Sequence, residues 1–309
     1  MQAIGVTTVG GPGQLQVLEL PEPEPGPGEL RIAVRAAAVN PTDVGLREGM
    51  GIPDGLAPPY VPGMDAAGVV DAIGAGVELS VGDRVCAVVN PRRPQGGAYA
   101  EKVVVPATSV ARLPDGMDLV EAATLPPNGL TAVRALEVLD LPFAGTVALT
   151  GAAGAVGGYA IQLAAHRGFR VVADASEQDR DLVTGLGAHT VVPRGPGFGE
   201  AVRAVEPGGV DGVIDAALLG TDVLAGVRDG GVIAAVRPFD GEPDRGIRVY
   251  LVTPADYLHR GDDLAELVRL ADQGVVTLRV AATLPADGAA EAHRRLAAGG
   301  VRGRLVLTF

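Results

Sequence analysis

Residues 146–173, TVALTGAAGAVGGYAIQLAAHRGFRVVA, constrain this chain more than any other stretch. A short apolar run (147–150) leads into a glycine-punctuated turn, an amphipathic helix and a second apolar run. That order is the first βαβ unit of a dinucleotide-binding fold, in which each glycine has its own task. Gly154 omits a Cβ where backbone must approach a pyrophosphate, and Gly157 allows the helix to pack closely. The helix N-terminus then presents unpaired N–H groups and a positive dipole end to phosphate. The fingerprint reads AxGxxG, because Ala152 holds the first glycine position. Ala152, Ala153, Gly154, Ala155, Val156 and Gly157 are therefore the candidate cofactor cradle.

With 309 residues, the length predicts about two domains, each able to bury its own core. Gly and Pro together make 69 residues, below the share that marks low complexity. No apolar run approaches the length of a membrane span. The N-terminal MQAIGVTTVGG lacks the pattern of a secretory signal. Cys86 is the only cysteine, which excludes an internal disulfide and fits a reducing cytoplasm, the expected location. A net charge of −12 argues against nucleic acid and anionic membrane as partners. Lys102 is the only lysine, so phosphate recognition must rest on arginine or backbone N–H groups.

The chain divides into two kinds of pattern. Residues 15–20, 29–39, 66–74, 83–89 and 100–106 are β-like runs separated by Pro- and Gly-rich turns, which predicts a β-rich, barrel-like domain. From about residue 118 helical patterns begin, interrupted by Pro126-Pro127. Strands are then expected at 146–150, 170–174, 189–193, 210–215 and 231–236, alternating with helices at 155–167, 177–186, 197–206 and 220–228. Such alternation implies a parallel sheet covered on both faces. A strand-like GIRVYLV (246–252), helices at 262–274 and 291–300, and a closing strand RLVLTF complete the chain.

Several motifs fall in one order: AAAVNPTD (36–43), PGMDAAGVVDAIGAGVELSVGDRVCAV (62–88), GGAYAE (96–101), AATLPPNGLTA (122–132), GAAGAVGGYAIQLAAHRG (151–168), LGAHTVV (186–192) and GRLVL (303–307). Together they resemble the medium-chain dehydrogenase/reductase superfamily, and most closely its zinc-free quinone oxidoreductase, or zeta-crystallin-like, branch. The resemblance implies an α/β protein: a GroES-like distorted β-barrel catalytic domain (1–119 and 253–309) with an inserted Rossmann doubly wound parallel-sheet domain (120–252). It implies an active site in the cleft between the two. It also implies a homodimer paired through an edge strand, for which residues 246–252 are the candidate.

Zinc-dependent relatives carry a cysteine where this chain has Asn40, and Gly-His-Glu where it has Gly63-Met64-Asp65. One cysteine and four scattered histidines (His166, His189, His259, His293) offer no convergent ligand set, so no zinc is expected. Surface or supporting positions are expected for all four histidines.

The residues leave the choice of nicotinamide cofactor open. Asp174 lies 20 positions after Gly154, where an acidic residue favours NAD. Alignment with zinc-dependent relatives instead puts that position on Ala175, and a one-residue shift reverses the face of a strand. The resemblance places a small residue at Ser176, a basic residue at Arg180 and an adenine neighbour at Arg194. Guanidinium groups suit phosphate, so NADPH is expected, with NADH as the alternative. The resemblance also sets Asn40 and Thr131 near the nicotinamide and its ribose, with Asp43 and Tyr60 as polar groups of the same region. The implied activity is hydride transfer to a quinone or an α,β-unsaturated carbonyl.

Two aromatic positions of some quinone reductases fall on Gly45 and Gly51, which points to a wider or more mobile pocket, or to loop variation alone. Two other functions share the motifs: an enoyl-thioester reductase acting on carrier-bound acyl chains, and a nucleotide-binding protein without turnover.

Overall fold

The computed structural model describes residues 1–309. The chain opens with a two-stranded antiparallel ribbon, β1 (Gln2–Gly5) and β2 (Gln16–Glu19). There follow β3 (Glu29–Ala38), α1 (Pro41–Arg47), β4 (Asp65–Ile73), β5 (Arg84–Val88), β6 (Lys102–Pro106), β7 (Val110–Arg112) and α2 (Leu119–Ala122). The ten-residue β3 organises this part. One of its edges pairs with β4, while the other pairs with β6 along its first half. Bulges at Arg31/Ile32 and Val34/Ala36 break the β3–β4 register, a device that bends a sheet toward closure.

After α3 (Pro126–Leu139), the chain runs β8 (Thr146–Thr150), α4 (Ala155–His166), β9 (Arg170–Ala175), α5 (Arg180–Gly185), β10 (Thr190–Pro193), α6 (Phe198–Val205), β11 (Val210–Asp215), β12 (Val227–Ala235) and β13 (Arg248–Leu251). These strands form one parallel sheet in the order β10-β9-β8-β11-β12-β13. Renumbered from β8, that order is 3-2-1-4-5-6, the doubly wound arrangement, with its switch point between β8 and β11. Phe198, Val202, Val213, Val223 and Ile233 belong to its core.

The last segment contributes α7 (Gly261–Asp272), β14 (Val280–Pro285), α8 (Ala289–Ala298) and β15 (Arg304–Thr308). β15 joins the second half of the β3 edge that β6 leaves open, and β14 lies outside it. The seven-stranded sheet is therefore built from both ends of the sequence, around a core that includes Leu30, Ile32, Val85, Tyr99 and Leu307. The chain comprises two compact units: residues 1–127, 258–272 and 278–309, and residues 128–257 with 273–277. This is the α/β architecture of a GroES-like domain interrupted by a Rossmann domain.

Three local expectations need revision. Pro126-Pro127 do not break a helix but occupy its first turn, where a missing N–H costs nothing, and the gap lies at 123–125. The helix expected at 220–228 is a 3-10 segment, Gly220–Gly226, and β12 starts directly after it at Val227. α1 was not anticipated, because PTDVGLR is only two turns long and carries a glycine. No helix is long and apolar enough to cross a membrane.

Candidate active site

In the parallel-sheet unit the glycine turn follows β8 at the switch point. Gly151 is the residue that makes the turn, with φ +66°, a conformation costly for any side chain. Ala152 can replace the first glycine of the fingerprint because the left-handed position falls one residue earlier. Gly154 caps α4 with extended backbone, and its N–H returns to the Gly151 carbonyl at 2.9 Å. A Cβ on Gly157 would collide with the Gly151 carbonyl oxygen and stand 2.8 Å from Ala152 Cα. Gly157 therefore allows α4 to sit against the turn, leaving the first-turn N–H groups of Ala155 and Val156 at an anion-receptive helix end.

The carboxylate of Asp174 is turned inward: its Oδ1 accepts the Ala152 N–H at 2.9 Å, and the side chain is buried. Burial raises its pKa, while hydrogen bonds from Ala152 and Gly151 and the charge of Arg194 oppose the rise. Asp174 thus braces the glycine turn from beneath. Across the switch point, Asp215 accepts from Thr150 Oγ1 (2.7 Å) and from the N–H groups of Leu219 and Gly220 (3.1 and 2.9 Å). Thr150 Oγ1 in turn accepts the Ala217 N–H. Thr150 and Asp215 were missed in the sequence, although each is a polar residue closing an apolar strand.

The remaining candidates of this unit lie beyond β9. Ser176 Oγ donates to Asp179 at 2.6 Å. Arg180 is exposed and meets Glu177 only at 3.5 Å, a weak pairing readily exchanged for another anion. Arg194 is exposed at the end of β10, its N–H bonded to the Ala175 carbonyl. Thr131 is buried on α3.

In the other unit Asn40 is the centre of a buried polar cluster. Its Nδ2 donates to Asp65 Oδ2, and its Oδ1 accepts from Arg304. Asp65 is completely buried, Asn40 and Arg304 nearly so. Asp65 Oδ1 and Arg304 Nε have no hydrogen-bond partner. Burial drives the Asp65 pKa well above the carboxylate range, and the neighbouring Asp43 charge adds to this, against the opposing pull of Arg304 and Asn40. Asp43 is also wholly buried: Oδ2 accepts the Asn40 N–H at 2.7 Å, and Oδ1 the Gly63 N–H at 3.0 Å. It has no surface for substrate, and its work is to fix the backbone of Asn40 and Gly63. The Tyr60 hydroxyl donates to Leu56 in its own loop, away from this cluster's bonds. The sequence did not single out Asp65 as a partner of Asn40, nor Arg304, Tyr99 or Arg47; only an ionisable residue inside an apolar run hinted at the first two.

Zinc wants about four nitrogen, sulfur or carboxylate ligands on one point. Here the amide of Asn40 is engaged on both sides, Met64 is a thioether, and Asp65 is the one strong ligand type. No group of three His, Cys, Asp or Glu side chains converges. The donor set does not fit a zinc centre.

The polypeptide matches the family profile of the alcohol dehydrogenase GroES-like domain over residues 26–115 and that of zinc-binding dehydrogenases over residues 186–307. It is 32% identical to 2-haloacrylate reductase of Burkholderia sp over 96% of each chain. It is 36% identical to the pikromycin polyketide synthase component PikAII of Streptomyces venezuelae over 91% of its own length, but spans only 8% of that protein. Solved structures give the same picture. A mycobacterial quinone oxidoreductase superposes with a TM-score of 0.84 at 31% identity, covering all of both chains. A mycobacterial protein complexed with NADPH superposes with a TM-score of 0.87, at the same identity and coverage. The chain belongs to the medium-chain dehydrogenase/reductase family. It is an oxidoreductase.

Proposed function

We propose that this chain is an NADPH-dependent reductase that directs hydride to a quinone or an α,β-unsaturated carbonyl without a metal. The observation that carries the reading is the glycine turn at the switch point, with Asp174 consumed as its internal brace. Asp174 is buried with Oδ1 on the Ala152 N–H, which turns it toward the protein and weakens the main argument for NADH. The exposed guanidinium groups of Arg180 and Arg194 then suit a 2′-phosphate. The relatives agree in kind: one is named for reducing an acrylate, one for a quinone, and one is complexed with NADPH.

When bound, NADPH supplies the hydride. The protein's part is orientation and the exclusion of water. Asn40, held rigid by Asp43, Asp65 and Arg304, and Thr131 would face the nicotinamide end, while residues 152–157, Ser176, Arg180 and Arg194 would hold the phosphates and adenosine. The acceptor gains two electrons with the hydride and then a proton, which solvent can supply to a quinone. Gly45 is buried with Met50 at 3.6 Å from the place of its missing side chain, and at Gly51 that place is taken by the Arg92 guanidinium at 2.9 Å, so the two glycines are no argument for a bulkier acceptor.

The polyketide synthase similarity favours one second reading, reduction of enoyl thioesters on a carrier. A net charge of −12 weighs against it, because carrier proteins are themselves acidic. The test is NADPH oxidation against quinones, enones and enoyl thioesters, each free and carrier-bound. Turnover with quinones or enones is expected. Turnover with thioesters alone would transfer the assignment to the second reading, and tight NADPH binding without any oxidation would refute both.

A further inference from the structure

The buried histidine of α8 takes no part in the function as described, yet both of its ring nitrogens are engaged. His293 is fully buried, as are Tyr99 and Asp43, and Arg47 nearly so. Arg47 lies 3.3 Å from His293 Nδ1, and Tyr99 Oη lies 3.2 Å from Nε2. The Tyr99 hydroxyl also lies 3.3 Å from Asp43 Oδ2. The two rings meet edge-on, with centroids 5.8 Å apart.

Hydrogen-bond polarity fixes the direction of this chain. A guanidinium only donates, so His293 Nδ1 must accept and the ring proton must sit on Nε2. Nε2–H then donates to Tyr99 Oη, which leaves the one tyrosine proton for the Asp43 carboxylate. Asp43 thus receives three donors: Asn40 N–H, Gly63 N–H and Tyr99 O–H.

We propose that His293 is a positioning residue for the reductase site: it orients Tyr99, and through Tyr99 the Asp43 carboxylate that pins Asn40. The proposal rests on the reductase reading for its activity readout alone. The charged groups around the relay are few. Arg47 and Asp43 come from α1, Asp65 from β4 and Arg304 from β15. The rest of Arg47 is held by Glu48 and the Gly10 carbonyl. On α8 itself, Glu291 is paired with Arg294 and Arg295 at the surface. Burial and the Arg47 charge keep His293 neutral, with its pKa lowered to about 4. Burial raises Asp43 to about 6, against the pull of its donors, Tyr99 among them. A weaker Tyr99 bond therefore moves Asp43 further up.

The experiment combines two readouts on the full chain. Carbon-13 NMR follows the Asp43 carboxyl titration, assigned with Asp43→Asn, and the acid limb of kcat/KM follows NADPH oxidation. His293→Phe keeps a ring but removes both nitrogens; His293→Gln restores a donor and an acceptor. In His293→Phe the titration and the acid limb should both move up by about half a pH unit or more, and His293→Gln should bring both back. Tyr99→Phe, which deletes only the hydroxyl, should reproduce the upward move if His293→Phe fails to fold. An unmoved titration overturns the relay. A moved titration with an unmoved acid limb overturns the positioning role. If no acceptor is reduced, the reductase reading fails separately, and the pH dependence of NADPH binding replaces turnover with the same two outcomes.

Discussion

Asp174 shows how much turns on one side chain's partner. In the sequence it was an NAD signal by count; in the structure its oxygen belongs to the glycine turn. The proposed function assigns selectivity to Arg180, whose exposed ion pair with Glu177 contributes little. Arg180→Ala should raise KM for NADPH by about tenfold, as expected for losing a charged hydrogen bond of about 1.5 kcal/mol, and leave NADH nearly unchanged. Steady-state kinetics with both cofactors decides this, and equal effects would refute the assignment. Asp43 and His293 predict a second residue-scale effect. Asp43 titrates near 6 in the fold and near 3.8 unfolded, so its stabilising contribution is full below pH 3.8 and lost as pH rises through about 6. His293 titrates near 4 in the fold and near 6.5 unfolded, so its contribution is full above 6.5 and lost as pH falls through about 4. Displacements of this size correspond to about 3 kcal/mol each, with opposite slopes that largely cancel in the native protein. Asp43→Asn should therefore lose stability more steeply than the parent between pH 6.5 and 4, and His293→Phe should lose less or gain. Urea unfolding across that range measures both, and parallel curves for all three proteins would contradict the pairing.

Among the elements, α4 and its turn were the most legible, because glycine spacing and apolar periodicity are local properties. The structure adds that Gly151, not the fingerprint's first position, makes the left-handed turn. It also shows that Gly157 is required by contact with backbone, which cannot yield as a side chain would. Gly157→Ala should therefore cost about 1–3 kcal/mol of stability, the range for overpacking, and weaken NADPH binding by displacing the turn. Thermal unfolding and fluorescence titration check this, and an unchanged NADPH affinity would argue against the turn as the cofactor cradle. Less legible were α1 and the 3-10 segment before β12. Both are short, and their form depends on what they pack against.

For the whole molecule, the order 3-2-1-4-5-6 leaves β13 at an open sheet edge, with Tyr250 and Leu251 nearly half exposed. An edge of this kind invites pairing with a second copy. A homodimer is expected by light scattering, and Leu251→Lys should shift it toward monomer. A wild-type monomer at micromolar concentration would refute the arrangement. The sequence by itself determined the alternation of strands and helices, the βαβ unit and its anion-receptive turn. All of these depend on residues within a few positions of one another. It also carried enough ordered motifs to place the family. Only the tertiary structure decided that Arg304 reaches Asn40 across 264 positions and that His293 reaches Arg47 across 246. It alone turned Asp174 inward. The physical reason is that a buried polar group must find its partner wherever packing puts one. That choice is made by β3 gathering strands from both ends of the chain, so no local pattern encodes it.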